Sequence, residues 1–327
     1  MATTHHRVSD GGVAQNARLL PLATSEGATA FQPAASDRLL RWFGHRRWLR
    51  YGLRNRLLCA LRNPATMERQ PFETAFAGFR YRGDLSRWID WIVYYFGVYE
   101  VDELELVRRR LSDDQAIALD IGANVGHHTL YLASFCAHVH AFEPFEGVAR
   151  FIDEKVALNK LEHHITVHRV GLSDADAELP YFASTGNNIG NGTFVPSLAD
   201  AHEAPSCVLA LRHGDRCVAS LNLPRVDLVK IDVEGFELKV LEGLRQTLAR
   251  YRPLVMLELS DTVRAELGSM QQLLALLPQG YDVQRIMPPI ARRTLFSSGH
   301  ATLAPLGPQW ARHSNPGGYV NLLLCPT

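Results

Sequence analysis

Ala118-Leu-Asp-Ile-Gly-Ala-Asn-Val-Gly-His-His128 is the stretch whose reading decides the fold. An apolar run, Ala116 to Leu119, ends at the acid Asp120. Gly122 and Gly126 follow, and an amphipathic stretch runs from His127 to Phe135. The order is strand, tight turn, helix. Such a turn brings bare backbone to the carboxyl edge of a sheet, where open α/β sheets bind their ligands.

The glycine spacing selects among nucleotide-type ligands. Dinucleotide sites use G-x-G-x-x-G, which seats a pyrophosphate on a helix N-terminus. Here the pattern is D-x-G-x-x-x-G, with Ala123 and Asn124 between the glycines. Asp120 at the strand end repels a pyrophosphate and favours an ammonium or sulfonium. S-adenosylmethionine (SAM) carries both charges and no phosphate. The next expected strand, His138-Val-His-Ala-Phe-Glu143, ends in a second acid before Pro144. Glu143 is placed to accept hydrogen bonds from two ribose hydroxyls, a feature that nicotinamide sites share.

The 327 residues suffice for one large domain with an appendage, and 46% hydrophobic residues support a sizeable core. Formal charge is zero, so no global field draws nucleic acid. Cys59, Cys136, Cys207, Cys217 and Cys325 form no C-x-x-C, which suggests a reducing compartment and no zinc site. No run approaches the roughly 18 apolar residues of a membrane span. Met1 to Asp37 lacks the charged start and apolar block of a signal peptide, so the expected location is the cytoplasm.

Composition divides the chain. Residues 1–36 are rich in small polar side chains and are expected to be disordered. Residues 37–112 are expected to form a helical extension. Within it, 37–63 alternates apolar residues with arginines at helical spacing. Two readings stay open there: a helix packed on the main domain with a solvated Arg face, or a peripheral contact with an anionic membrane. The aromatic cluster Trp88, Trp91, Tyr94, Tyr95, Phe96 and Tyr99 reads as core packing before pocket lining.

From 113 to 327, strands and helices alternate as in a doubly wound parallel sheet. Strands are expected at 116–121, 138–143, 165–170, 226–231 and 254–259, then 281–286 and 318–325. Helices are expected at 124–136, 147–160, 234–250 and 263–277. The fold class is therefore α/β: a Rossmann-like, seven-stranded, mostly parallel sheet with helices on both faces. The connection 171–225 is too long for a plain loop and reads as a lid or acceptor-binding element. It contains Ser184-Thr-Gly-Asn-Asn-Ile-Gly-Asn-Gly-Thr193.

A second acidic constellation lies at Asp227-Leu-Val-Lys-Ile-Asp-Val-Glu-Gly-Phe-Glu237. Its strand should lie beside the first, where strand order reverses, which brings Asp232 near Asp120. Leu254-Val-Met-Leu-Glu258 ends another strand in an acid. Asp232, Glu234 and Glu258 could orient an acceptor hydroxyl, take its proton, or hold a divalent cation. Glu237 reads as helix-start charge. His127 is a further catalytic candidate at the head of its helix.

Leu119–Gly126, Ala141-Phe-Glu-Pro144, Leu158-Asn159 and Lys230–Glu237 together resemble the FkbM family of SAM-dependent methyltransferases, over residues 97 to 260. The resemblance implies O-methylation of hydroxyls on sugars, polysaccharides or secondary metabolites. It implies a cofactor site at Asp120, Gly122, Ala123, Asn124, Gly126 and Glu143, with Gly171 and Leu172 near adenine. Asn159 matches a family asparagine with a structural role. Asp215 stands as a displaced equivalent of a family Leu-Asp motif. Competing readings are N-methylation, a non-catalytic SAM-fold subunit of a glycan-assembly system, and a nicotinamide oxidoreductase, the last disfavoured by glycine spacing.

Overall fold

The computed structural model describes residues 35–111, 113–199, 204–287, 301–306 and 318–327. The expected disordered tail, 1–36, lies outside these residues except for its last two positions, which open the first helix.

The extension holds α1 (Ala35–Gly44), α2 (Tyr51–Leu61), β1 (Pro71–Phe76), β2 (Phe79–Asp84), α3 (Trp88–Phe96) and α4 (Val101–Arg110). It is not wholly helical: β1 and β2 pair as an antiparallel hairpin. Ala77 and Gly78 make its turn with φ of 48° and 90°. Two consecutive positive φ values match the twist that tight hairpins require. Phe72, Thr74 and Phe76 alternate inward along β1, a period-two signal embedded in a helix-rich stretch.

The main unit continues with β3 (Ile117–Ile121), α5 (His127–Leu132), β4 (His138–Phe142), α6 (Glu146–Asn159) and β5 (Ile165–His168). Next come β6 (Gly171–Ser173), β7 (Ala177–Tyr181), β8 (Cys207–His213), α7 (Gly214–Ser220), β9 (Leu228–Ile231), α8 (Glu237–Gly243) and α9 (Arg245–Tyr251). The chain closes with β10 (Leu254–Ser260), α10 (Asp261–Leu267), α11 (Met270–Ala275), β11 (Tyr281–Met287), β12 (Thr302–Pro305) and β13 (Tyr319–Pro326).

The main sheet has eight strands rather than seven, in the order β12-β11-β13-β10-β9-β3-β4-β5. The added strand is β12, a four-residue edge paired antiparallel to β11. The centre is parallel, and β13 runs antiparallel between β10 and β11. Side chains alternate between two cores, because successive strand residues point to opposite faces. Ala118, Leu228, Met256 and Leu323 join the core beneath α3 to α6. Leu119, Val229, Val255 and Leu322 join the core that α8 to α11 cover. Helices therefore lie on both faces, as the sequence predicts.

Left-handed residues shorten the expected helices. Asn124 and Gly126 have φ of 54° and 81°, so α5 starts at His127 and not at 124. Glu234 and Gly235, at 52° and 108°, delay α8 to Glu237. A right-handed helix cannot include such residues. Within 171–225, β6, β8 and β7 form a separate three-stranded sheet. No helix among the described residues is long and apolar enough to cross a membrane.

The aromatic cluster is core: Trp91, Tyr94 and Tyr95 are buried. Asn159 fastens α6 to β2, donating to the Arg80 carbonyl at 2.8 Å and accepting from its N–H at 2.7 Å. Asp90 holds the base of the extension. Its carboxylate accepts from the Tyr81 hydroxyl at 2.6 Å and the Asp84 N–H at 2.9 Å, and pairs with Arg87. Asp90→Ala leaves the Arg87 guanidinium without its partner. Breaking such a pair costs about 3–5 kcal/mol, and urea unfolding of the variant is expected to read a loss of that order.

Candidate active site

Strand order reverses between β3 and β9, which pair with Asp120 opposite Lys230. The crevice beyond these two strand ends is where an open α/β sheet binds its ligand. Gly122 leaves β3 with φ 75°, and a Cβ there would stand 1.8 Å from the Asp232 carbonyl oxygen. Only a glycine lets the two strand ends approach this closely.

Lys230 is buried at this junction. Its ammonium donates to the Gly122 carbonyl at 2.7 Å and lies 3.2 Å from an Asp120 oxygen and 3.5 Å from an Asp232 oxygen. Burial opposes the charge, but Asp120 and Asp232 outweigh it and hold the Lys230 ammonium above its usual range. The other Asp120 oxygen accepts from the Thr129 hydroxyl at 2.6 Å.

A cleft of about 590 Å3, counting its solvent-open space, lies above this pair. Gly122, Asn124, Glu143, Gly171, Leu172, Asp232 and Glu234 all line it, as do Tyr181, Phe194 and Phe236. Glu143 follows β4, and its two oxygens accept from the Asn124 and Phe145 N–H groups, each at 3.0 Å. Burial pushes its carboxyl up to about 7, against the pull of those two N–H groups. Glu234 rises to about 8 through burial and the neighbouring Asp232. Gly190 and Gly192 of the Gly/Asn-rich loop also line the cleft. The Thr193 hydroxyl fastens that loop to the Glu234 carbonyl at 2.7 Å.

The family model for the methyltransferase FkbM domain matches residues 120–283, half of the chain. The chain belongs to the FkbM methyltransferase family. Hexuronic acid methyltransferase AglP of Haloferax volcanii is 30% identical over 46% of this chain and 58% of its own. AMB antimetabolite synthetase AmbE of Pseudomonas aeruginosa is 31% identical over 45% of this chain and 8% of its own. The chain thus spans less than two thirds of either relative. The solved methyltransferase FkbM from Methylobacillus flagellatus is 14% identical, with a TM-score of 0.39, over 73% of this chain and 61% of that one.

In this FkbM chain the structure divides the expected site residues. Asp120, Ala123, Gly126, His127 and Glu258 do not line the cleft. Asp120 is wholly buried and engaged by Lys230 and Thr129. Ala123 donates its N–H to the Phe142 carbonyl at 3.1 Å, and Gly126 caps α5. His127 is buried beside His128 with both ring nitrogens lacking hydrogen bonds. Burial and the His128 ring hold it well below its usual range. Glu258 is driven to about 11 by burial, then by Asp232 and Glu100. Asp215 is no acceptor contact: it accepts from the Gln246 and Thr247 N–H groups at the head of α9.

Sequence reasoning missed several residues. Lys230 stood inside a quoted motif, and its register opposite Asp120 was the available signal. Tyr181 and Phe194 flank the Gly/Asn loop, again visible. Glu100 carried none: it is brought from the extension to within 3.3 Å of His128 and accepts from Asn321 at 3.1 Å. Among the described residues, no group of three or more His, Cys, Asp or Glu is arranged to hold a metal ion.

Lys230→Met leaves Asp120 buried without its cation. The loss in urea unfolding is expected at about 3–5 kcal/mol. Adding Asp120→Asn to it should restore part of that loss, as coupled neighbours do in a double-mutant cycle.

Proposed function

We propose that the chain transfers a methyl group from S-adenosylmethionine to a hydroxyl of a sugar, polysaccharide or secondary metabolite. Glu143 carries the reading. A carboxylate offers about four acceptor sites, and only two are used by the Asn124 and Phe145 N–H groups. The remainder suit a pair of ribose hydroxyls. Charge supports the same ligand: the cleft walls carry Asp232 and Glu143 beside a protonated Glu234, with no Lys or Arg among the described lining residues. A pyrophosphate is disfavoured there and a cationic cofactor favoured.

Gly122, Asn124 and Glu143 would hold the cofactor, with Leu172, Leu211 and Pro144 as an apolar wall for a flat base. When bound, the cofactor supplies an electrophilic methyl on a cationic sulfur. The chain's own task is to orient the acceptor and take its proton. Glu234, raised to about 8, keeps its proton at neutral pH and can donate a hydrogen bond to the acceptor, whereas Glu258, raised to about 11, does not line the cleft. Asp232 is left as the base: it is part-exposed on the cleft wall, its carboxylate positioned by Lys230 3.5 Å away, and it becomes neutral on taking the acceptor's proton. Cytoplasmic location belongs with this reading, as does a small-molecule or glycan acceptor. The name of the AglP relative makes a hexuronic acid the first acceptor to try.

Asp232→Asn is expected to leave calorimetric SAM affinity nearly unchanged and to lower turnover by roughly 10²–10⁴, the usual worth of a general base. Equal loss of both would make Asp232 a cofactor ligand. Absence of SAM binding by the folded wild type would sink the reading.

Glu143 gives a pH dependence. Its pKa is raised on folding, so its protonation stabilises the fold fully below about 4.5, and that contribution is lost as pH rises through about 7. Ribose binding needs the ionised acceptor. SAM affinity is therefore expected to strengthen from about pH 6 to about pH 8, and Glu143→Gln should flatten that slope.

A further inference from the structure

Seven of the ten large apolar side chains exposed among the described residues lie between residues 39 and 61. Leu39 is 65% exposed, Trp42 54%, Trp48 50% and Leu61 51%. On α2, Leu53, Leu57 and Leu61 recur every fourth residue and form one outward stripe. The inward positions of the same helix are Arg54 and Leu58. Scattered surface apolar residues need no explanation, but a concentration of this kind marks an interaction surface.

Within the segment the charge is almost all of one sign, and Arg47 pairs outside it with Asp102 of α4. Residues 35–63 contain eight arginines and a single acid, Asp37. Asp37 is buried, where Arg62 donates to it at 2.7 Å and the Tyr95 hydroxyl at 3.3 Å. Arg38, Arg50 and Arg56 are exposed. We propose that α1 and α2 form a preorganised face that docks on an anionic lipid surface, with Trp42, Trp48 and the leucine stripe entering the headgroup boundary and the arginines meeting lipid phosphates. Amphipathic basic helices bind membranes in this way, lying in the interface without spanning it. Trp is the residue favoured at that depth.

Other occupants lack the matching charge. The chain's own residues 1–34 carry two acids, Asp10 and Glu26, against two arginines, and offer no acidic complement. A second copy would set like charges against each other. The face is also held rigidly: the Trp91 indole donates to the Arg62 carbonyl at 2.8 Å, and a Cβ on Gly44 would meet the Tyr95 carbonyl oxygen at 2.1 Å. The helix that seats it, α3, opens with the Trp88 N–H donating to the Asn187 carbonyl at 3.0 Å, within the loop that roofs the cleft.

The test is flotation of the full chain with phosphatidylcholine vesicles and with vesicles that also contain phosphatidylglycerol. Wild type is expected to float with the anionic vesicles only, and to be released by salt. The triple change Arg38→Ala, Arg50→Ala, Arg56→Ala should weaken binding on the order of 100-fold, at about fivefold per cation near an anionic surface. Leu57→Ser with Leu61→Ser should weaken it while circular dichroism stays unchanged. Failure of the wild type to float overturns the proposal, as does binding that survives both sets of changes. A concentration-dependent dimer that Leu57→Ser dissociates, without flotation, assigns the face to a second copy instead. Flotation only after removal of residues 1–34 assigns it to the chain's own segment. None of these outcomes depends on SAM binding.

Discussion

The buried Lys230 ammonium is the constraint on which the site depends. It draws together the Gly122 carbonyl, Asp120 and Asp232, at 2.7, 3.2 and 3.5 Å. Those groups belong to the ends of two strands that diverge in connection order, and a cation between them fixes how closely the ends approach. Burying an ion pair in this way adds little net stability compared with apolar side chains of the same shape. Its value is geometric. It sets Gly122 under the Asp232 carbonyl, a contact that no side chain at 122 would permit.

The same ion pair settles the sign of the cleft. Asp120 lies below the floor and is neutralised, while Asp232 stands on the wall with part of its surface exposed. The negative character that reaches a ligand comes from Asp232 and from Glu143 in its ionised form. Burial raises both Glu143, to about 7, and Glu234, to about 8. Carboxyl groups in different surroundings can take distinct roles as acceptor, donor and base.

Much of this was legible in the sequence. The apolar runs ending in Asp120, Glu143, Asp232 and Glu258 marked four parallel strands, and the glycine turn located the crevice. What stayed hidden has physical causes. The pairing of Asp120 with Lys230 depends on strand register, which the motif itself does not report. Helix starts at 124 and 234 were misplaced because apolar periodicity does not report left-handed backbone at Asn124 and Glu234. The β12 edge has four residues, too few to show alternation. The β1–β2 hairpin did alternate, but stood among longer helical patterns. Glu100 reaches His128 only through tertiary packing of the extension, which no local pattern encodes.

The roof of the cleft joins these parts. Gly190 packs so tightly on Asn124 that a Cβ there would stand 1.9 Å from its amide nitrogen. Three residues on, the Thr193 hydroxyl holds the Glu234 carbonyl. One short loop therefore touches both the glycine turn expected to seat the cofactor and the segment expected to handle the acceptor. Its backbone fastenings include the paired Phe182 and Thr193 bonds and the Trp88–Asn187 bond, beside the Thr193–Glu234 bond and the packing of Ile189. A roof rich in Gly and Asn over a floor locked by Lys230 sets backbone freedom on one side of the cleft and rigidity on the other.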